Sequence, residues 1–81
     1  MNARNNLLRL EINGERRELA AGISLEQLVQ FLKLKPEQIA IELNQVVVRR
    51  GEWAATKLKE DDRVEIVHFV GGGSLLPLPV L

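Results

Sequence analysis

Three consecutive glycines, Gly71, Gly72 and Gly73, stand directly after the apolar run Val64-Glu-Ile-Val-His-Phe-Val70. Glycine loses the most backbone entropy on folding and brings no side chain to pack, so this triplet cannot continue a strand. The pattern predicts a strand that stops near Val70 and a thin arm beyond it. An arm without Cβ atoms fits a slot in which larger side chains would clash. Most glycine runs are linkers before a tail; this one follows a strand with no spacer and lies close to the chain end. A glycine-rich phosphate cradle would need a helix after it, whose N–H groups meet the anion. Here Ser74 to Leu81 carries Pro77 and Pro79, which oppose a helix. The folded part of the chain therefore reads as a scaffold that presents the arm.

The other reactive side chains form no self-contained catalytic constellation. His68 is the only histidine, with no metal-ligand partner at useful spacing and no nucleophile paired with it. It reads as a strand side chain near a surface, placed to contact a partner enzyme because it sits on the strand leading to the arm. Glu60, Asp61 and Asp62 read as a solvated turn rather than a metal site. Arg49 and Arg50 read as a solvated strand end and Trp53 as a core plug. With no cysteine in 81 residues, disulfides, thiolate metal sites and cysteine nucleophiles are excluded. Eleven basic residues balance eleven acidic ones, which gives no electrostatic reason to expect nucleic acid or an anionic membrane. No apolar run reaches the roughly 18–20 residues that span a bilayer. Met1 to Asn6 lacks the apolar centre of a signal peptide, so a cytoplasmic location is expected.

The elements that must position the arm follow from periodicity. Leu8, Leu10 and Ile12 alternate with Arg9 and Glu11, the period of a strand with one buried face. Asn13-Gly14 favours a two-residue hairpin turn because both residues tolerate positive φ. A charged second strand, Glu15 to Ala20, reads as an edge strand anchored by Leu19. Ser24 caps a helix, with Gln27 placed to complete a capping box. Leu25, Leu28, Val29 and Leu32 form its apolar stripe, and the helix should end before Pro36. Ile39 to Leu43 and Val46 to Val48 read as strands around an Asn44-Gln45 turn, Glu52 to Leu58 as a helical turn, and Asp61-Asp62 as the turn into the last strand at Arg63. This order predicts an α+β, ubiquitin-like β-grasp fold: a mixed sheet of four to five strands with one main helix across it. The helix is the crossover that lets the last strand lie parallel beside the first. Residues 1–70 are read as the domain and 71–81 as the glycine arm and apolar C-terminal tail.

At this point the residues resemble a family. Ile12-Asn13-Gly14, the stretch Leu43 to Val48, Arg50 with Trp53, Leu58 with Asp62, and the string Val64 to Gly73 resemble the ubiquitin-like sulfur carriers of thiamine biosynthesis, called ThiS, over about Leu8 to Gly73. The spacing of Arg50 and Trp53 and the string ending in three glycines resemble that branch more than the molybdopterin-synthase small subunit. The resemblance implies a protein cosubstrate rather than an enzyme. It implies that a partner enzyme of the ubiquitin-activating (E1-like) type adenylates the C-terminal glycine using ATP, and that sulfur then displaces AMP to leave a thiocarboxylate. Thiazole synthase would receive that sulfur. On this implication Gly73 carries the sulfur, Gly72 pairs with it, and Val67, His68, Phe69, Val70 and Gly71 contact partners. The chain itself would bind no cofactor and no metal.

One departure stands out. The family acts through a free glycine carboxylate, and here Ser74 to Leu81 follows Gly73. A peptide bond cannot be adenylated, so the tail must be trimmed by a processing protease or be foreign to the natural chain; otherwise this copy is inactive as a carrier. Two other functions remain open: a ubiquitin-like interaction module that keeps its tail for binding, and a carrier serving molybdopterin or another acceptor.

Overall fold

The computed structural model describes residues 6–69 and 75–77. The first hairpin joins β1 (Leu7–Ile12) to β2 (Glu15–Ala20) in antiparallel register, with Leu8 opposite Leu19 and Ile12 opposite Glu15. Its turn places Asn13 and Gly14 at φ 51° and 84°, the left-handed pair that matches the twist of the flanking strands. Helix α1 (Leu25–Phe31) begins with the expected capping box. The Ser24 hydroxyl accepts from the Gln27 N–H at 3.1 Å, and the Gln27 side chain accepts from the Ser24 N–H at 3.0 Å. The helix stops earlier than the proline alone demands. Lys33 adopts φ 59°, and its N–H and that of Leu34 turn back to the carbonyls of Gln30 and Val29. A left-handed C-terminal cap, not Pro36, ends the helix.

A 3₁₀ turn at Pro36–Gln38 leads into β3 (Ile39–Leu43), and Asn44 and Gln45, both at positive φ, turn the chain into β4 (Val46–Val48). A second 3₁₀ turn covers Arg50–Ala55, starting two residues before the expected helical turn. Trp53 inside it is buried, and its indole N–H donates to the Val48 carbonyl at 2.9 Å, so the ring is the core plug expected of it. Strand β5 (Arg63–Phe69) runs parallel to β1 and antiparallel to β3, giving the order β2-β1-β5-β3-β4. The two neighbours of β5 therefore come from either side of α1 in the chain, which is what the crossover permits. This is the β-grasp sheet that the element order predicts, with β2 and β4 at its edges.

One face of the sheet packs on α1. Leu10, Ile12, Leu19, Ile39, Ile41, Val64 and Ile66 meet Leu25, Leu28 and Val29 there, with Trp53 and Leu58 closing the end, and all are buried. Every one of these residues lies before the glycine run. A sixth strand, β6 (Leu75–Pro77), pairs antiparallel with the end of β5. The prolines of the tail oppose a helix, and Leu75–Pro77 extends the sheet.

Candidate functional site

The strand that leads to the arm has two unlike halves. Its alternation puts Val64, Ile66 and His68 on the core side and Arg63, Glu65, Val67 and Phe69 on the outer side. The core-side series weakens along the strand: Val64 and Ile66 are buried, whereas His68 is half-buried opposite Ile39. On the outer side, Arg63 and Glu65 are exposed beside Glu42, while Val67 lies opposite Ala40 and Phe69 is 49% exposed. The outer face thus turns from charged to apolar toward the end nearest the glycines. Of the expected partner-contacting residues, Val67 and Phe69 share this face, and His68 points the other way. Val70, Gly71, Gly72 and Gly73 lie outside the described residues. Among the described residues no cluster of histidine and carboxylate side chains could hold a metal ion.

The edges of β5 are as informative as its faces. Strand β3 covers one edge from Val64 to His68. On the other, β1 reaches only Arg63 and Val64 before it turns away. The Asn13 side chain then stands in for a strand: its Oδ1 accepts from the Ile66 N–H at 2.7 Å, and its Nδ2 donates to the Ile66 carbonyl at 3.1 Å. Beyond Asn13 the edge passes to β6, with Val67 opposite Pro77, His68 opposite Leu76 and Phe69 opposite Leu75.

The start of β5 is fixed by a polar clamp. Asp62, expected in a solvated turn, is only 5% exposed. Its carboxylate accepts from the Lys59 N–H at 2.7 Å and from the Asn44 side-chain amide at 3.0 Å, and Asn44 in turn accepts from the Arg63 N–H at 2.9 Å. The β3–β4 turn and the entry to β5 are therefore tied by one buried carboxylate. The neighbouring Glu60 does face solvent. Its carboxylate lies below the usual range, chiefly because it accepts from the Arg9 N–H at 3.0 Å, with the Arg9 guanidinium 3.2 Å away adding to the effect. Removing Asp62 leaves the Lys59 N–H and the Asn44 amide without their shared acceptor. Asp62→Ala is expected to cost about 2–3 kcal/mol in urea unfolding, with an unchanged slope, whereas Asp61→Asn at the exposed neighbour, where φ is 67° and asparagine is tolerated, should stay within about 0.5 kcal/mol.

Trp53 was legible as a core residue, but Asn13, Asn44 and Asp62 were not legible as the groups that hold β5. Their only local signal was turn chemistry, which asparagine and aspartate carry wherever they fall.

The model of the ThiS family matches residues 10–73, from the middle of β1 to the last glycine of the run. A protein of Magnetococcus marinus called thiazole synthase is 44% identical over 70 residues, 86% of this chain and 22% of that protein, so the chain spans about a fifth of its length. The uncharacterized protein ycf40 of Pyropia yezoensis is 34% identical over 64 residues, which is 79% of this chain and 90% of that protein. The crystal structure of the thiamine biosynthesis protein ThiS from Geobacter metallireducens superposes with a TM-score of 0.73 at 33% identity, covering 82% of this chain and all of that one. The family match, running from within β1 through β5 to Gly73, places this chain in the ThiS family.

Proposed function

We propose that the chain is the sulfur carrier for thiazole formation in thiamine biosynthesis, a protein cosubstrate with no catalysis of its own. The observation that carries this reading is where the family match stops: Gly73, the last residue of the glycine run that follows β5. The similarity to a thiamine biosynthesis protein of known structure supports the thiamine branch over molybdopterin. Two relatives named thiazole synthase, from Magnetococcus marinus and Paramagnetospirillum magneticum, contain a stretch similar to this chain within a several-fold longer polypeptide. Joining two modules in one chain raises their effective concentration and is useful when they act on each other. Thiazole synthase is therefore the proposed acceptor.

The mechanism needs a free carboxylate at Gly73, exposed by removal of residues 74–81. A carboxylate is a poor electrophile because its oxygen leaves badly. In the activating enzyme a Gly73 oxygen attacks the α-phosphorus of ATP and pyrophosphate leaves. A sulfur nucleophile at the oxidation level of hydrosulfide then attacks the acyl carbon, the bond to AMP breaks, and the chain ends in a thiocarboxylate. No electrons change hands, so no redox partner is required. The carrier's own contribution is position: Gly72 and Gly73 thread the reacting carbon into a partner's site, and the apolar end of the outer sheet face, Val67 and Phe69, docks. Binding energy gained there holds the reacting group in place.

A chain ending at Gly73 should restore thiamine-independent growth to cells that lack their own thiamine sulfur carrier. The same chain with Gly73 deleted should not. Failure of the first, with folded protein present in the cells, would remove the proposed function.

A further inference from the structure

The tail strand occupies an edge that the domain leaves open. Backbone groups of a strand alternate between its two edges. Arg63 exchanges bonds with Asn44 on the β3 side, and its carbonyl accepts from the Asn44 N–H at 2.8 Å. Val64 and Ile66 take the other direction: the Val64 carbonyl accepts from the Asn13 N–H at 2.8 Å, and Ile66 is held by the Asn13 side chain. By the same alternation the N–H and carbonyl of His68 point to the side that β1 has already left. Leu76 stands opposite His68 there.

The register explains the composition of the tail. Val67 directs its backbone groups to β3, so Pro77 opposite it occupies a position whose own backbone groups point away from β5. A proline there forfeits no ladder bond. Leu76, at the bonded position, is the residue that cannot be proline without loss. Ser74 to Leu81 also carries no charged side chain, although charge is the usual means of keeping strands off an open edge.

We propose that Leu75–Pro77 is a cis-acting cover for a strand-docking edge of β5. While the tail is attached, the edge at Val67–Phe69 is filled by the chain itself. Once the tail is gone, the same edge accepts an extended, uncharged, apolar segment of a partner protein running antiparallel to β5. The antiparallel seating of β6 is the evidence that the edge takes such a strand, since main-chain pairing supplies affinity largely independent of the incoming sequence. Tail and partner segment exclude one another, so the uncut chain is held closed at the surface nearest the glycines. The identity of the partner rests on the sulfur-carrier reading; the cover does not.

The test compares the whole chain with its Leu76→Pro variant, which opens the edge without shortening the tail. Two quantities are measured: amide exchange at His68 by NMR, and affinity for thiazole synthase. The His68 amide is expected to exchange at least about tenfold faster in the variant, while Ile41 and Ile66 remain protected, and the variant is expected to bind thiazole synthase at least about tenfold more tightly. Equal exchange at His68 overturns the cover. Faster exchange with equal, measurable affinities overturns the exclusion of partner by tail. Faster exchange with no binding by either form supports the cover and removes thiazole synthase as the partner, which is a failure of the proposed function and not of this one.

Discussion

Leu28→Ala is expected to lower the stability of this domain by about 2–5 kcal/mol. Leu28 is fully buried in α1, between Leu25 and Val29 on the face that covers the sheet. Truncation removes three carbons from a site packed on all sides, and both the lost transfer energy and the remaining cavity count against the fold. A domain of this size has only about 5–15 kcal/mol in total, so the variant should unfold at a much lower urea concentration with an unchanged slope. The control lies on the same helix. Phe31 is 62% exposed, and Phe31→Ala should change stability by no more than about 0.5 kcal/mol. A large loss at Phe31 together with a small one at Leu28 would mean that α1 presents its other face to the sheet. The difference also separates scaffold from arm. The buried core ends at Ile66, so changes within the glycine run should leave the unfolding curve almost unmoved.

The parts of this fold that were legible in the sequence are those specified by neighbours a few residues apart. Asn13-Gly14 announced its hairpin because few other pairs accept two positive φ values in a row. Ser24 and Gln27 announced the helix start because both halves of the capping box lie within four residues. The alternation through Ile66 already implied that His68 turns inward, away from Val67 and Phe69, and that separation could have been read from the period alone. The rest was illegible because its cause is distant in sequence. Lys33 is no left-handed residue by preference; it takes φ 59° where the helix must end for the chain to return to the sheet. Asp62 looks like any turn aspartate until Asn44 is brought beside it from another turn. Leu75–Pro77 has no strand signal at all, being three residues with a proline. It becomes a strand because β1 ends early and leaves the edge of β5 at His68 without a partner. For the site, the glycine run and the apolar end of β5 were visible as residues, whereas the open edge at His68 is a property of the assembled sheet.

The largest effect predicted for this protein is all-or-none and turns on one bond. On the proposed function, a chain ending at Gly73, incubated with ATP, hydrosulfide and an activating enzyme that recognises it, becomes heavier by the difference between a sulfur and an oxygen. The chain ending at Leu81 does not change mass under the same conditions, however well it folds or binds. The carboxylate that attacks ATP is absent from it: the Gly73 carbonyl is an amide to Ser74, and its oxygen cannot be released as part of AMP. The intermediate case is the sharper test. Adding one alanine after Gly73 supplies a free carboxylate, but one residue too far along and flanked by a Cβ. If reach and slot width are what the glycine run provides, that chain should gain sulfur far more slowly than the one ending at Gly73. If it reacts equally fast, the arm is only a tether and the position of the last glycine carries no information. The same measurement on protein taken from its own cells decides which form exists there. A species ending at Gly73 means the tail strand is removed before the carrier works. A species ending only at Leu81 means the edge of β5 stays covered, the carboxylate is never exposed, and a ubiquitin-like interaction module becomes the better description.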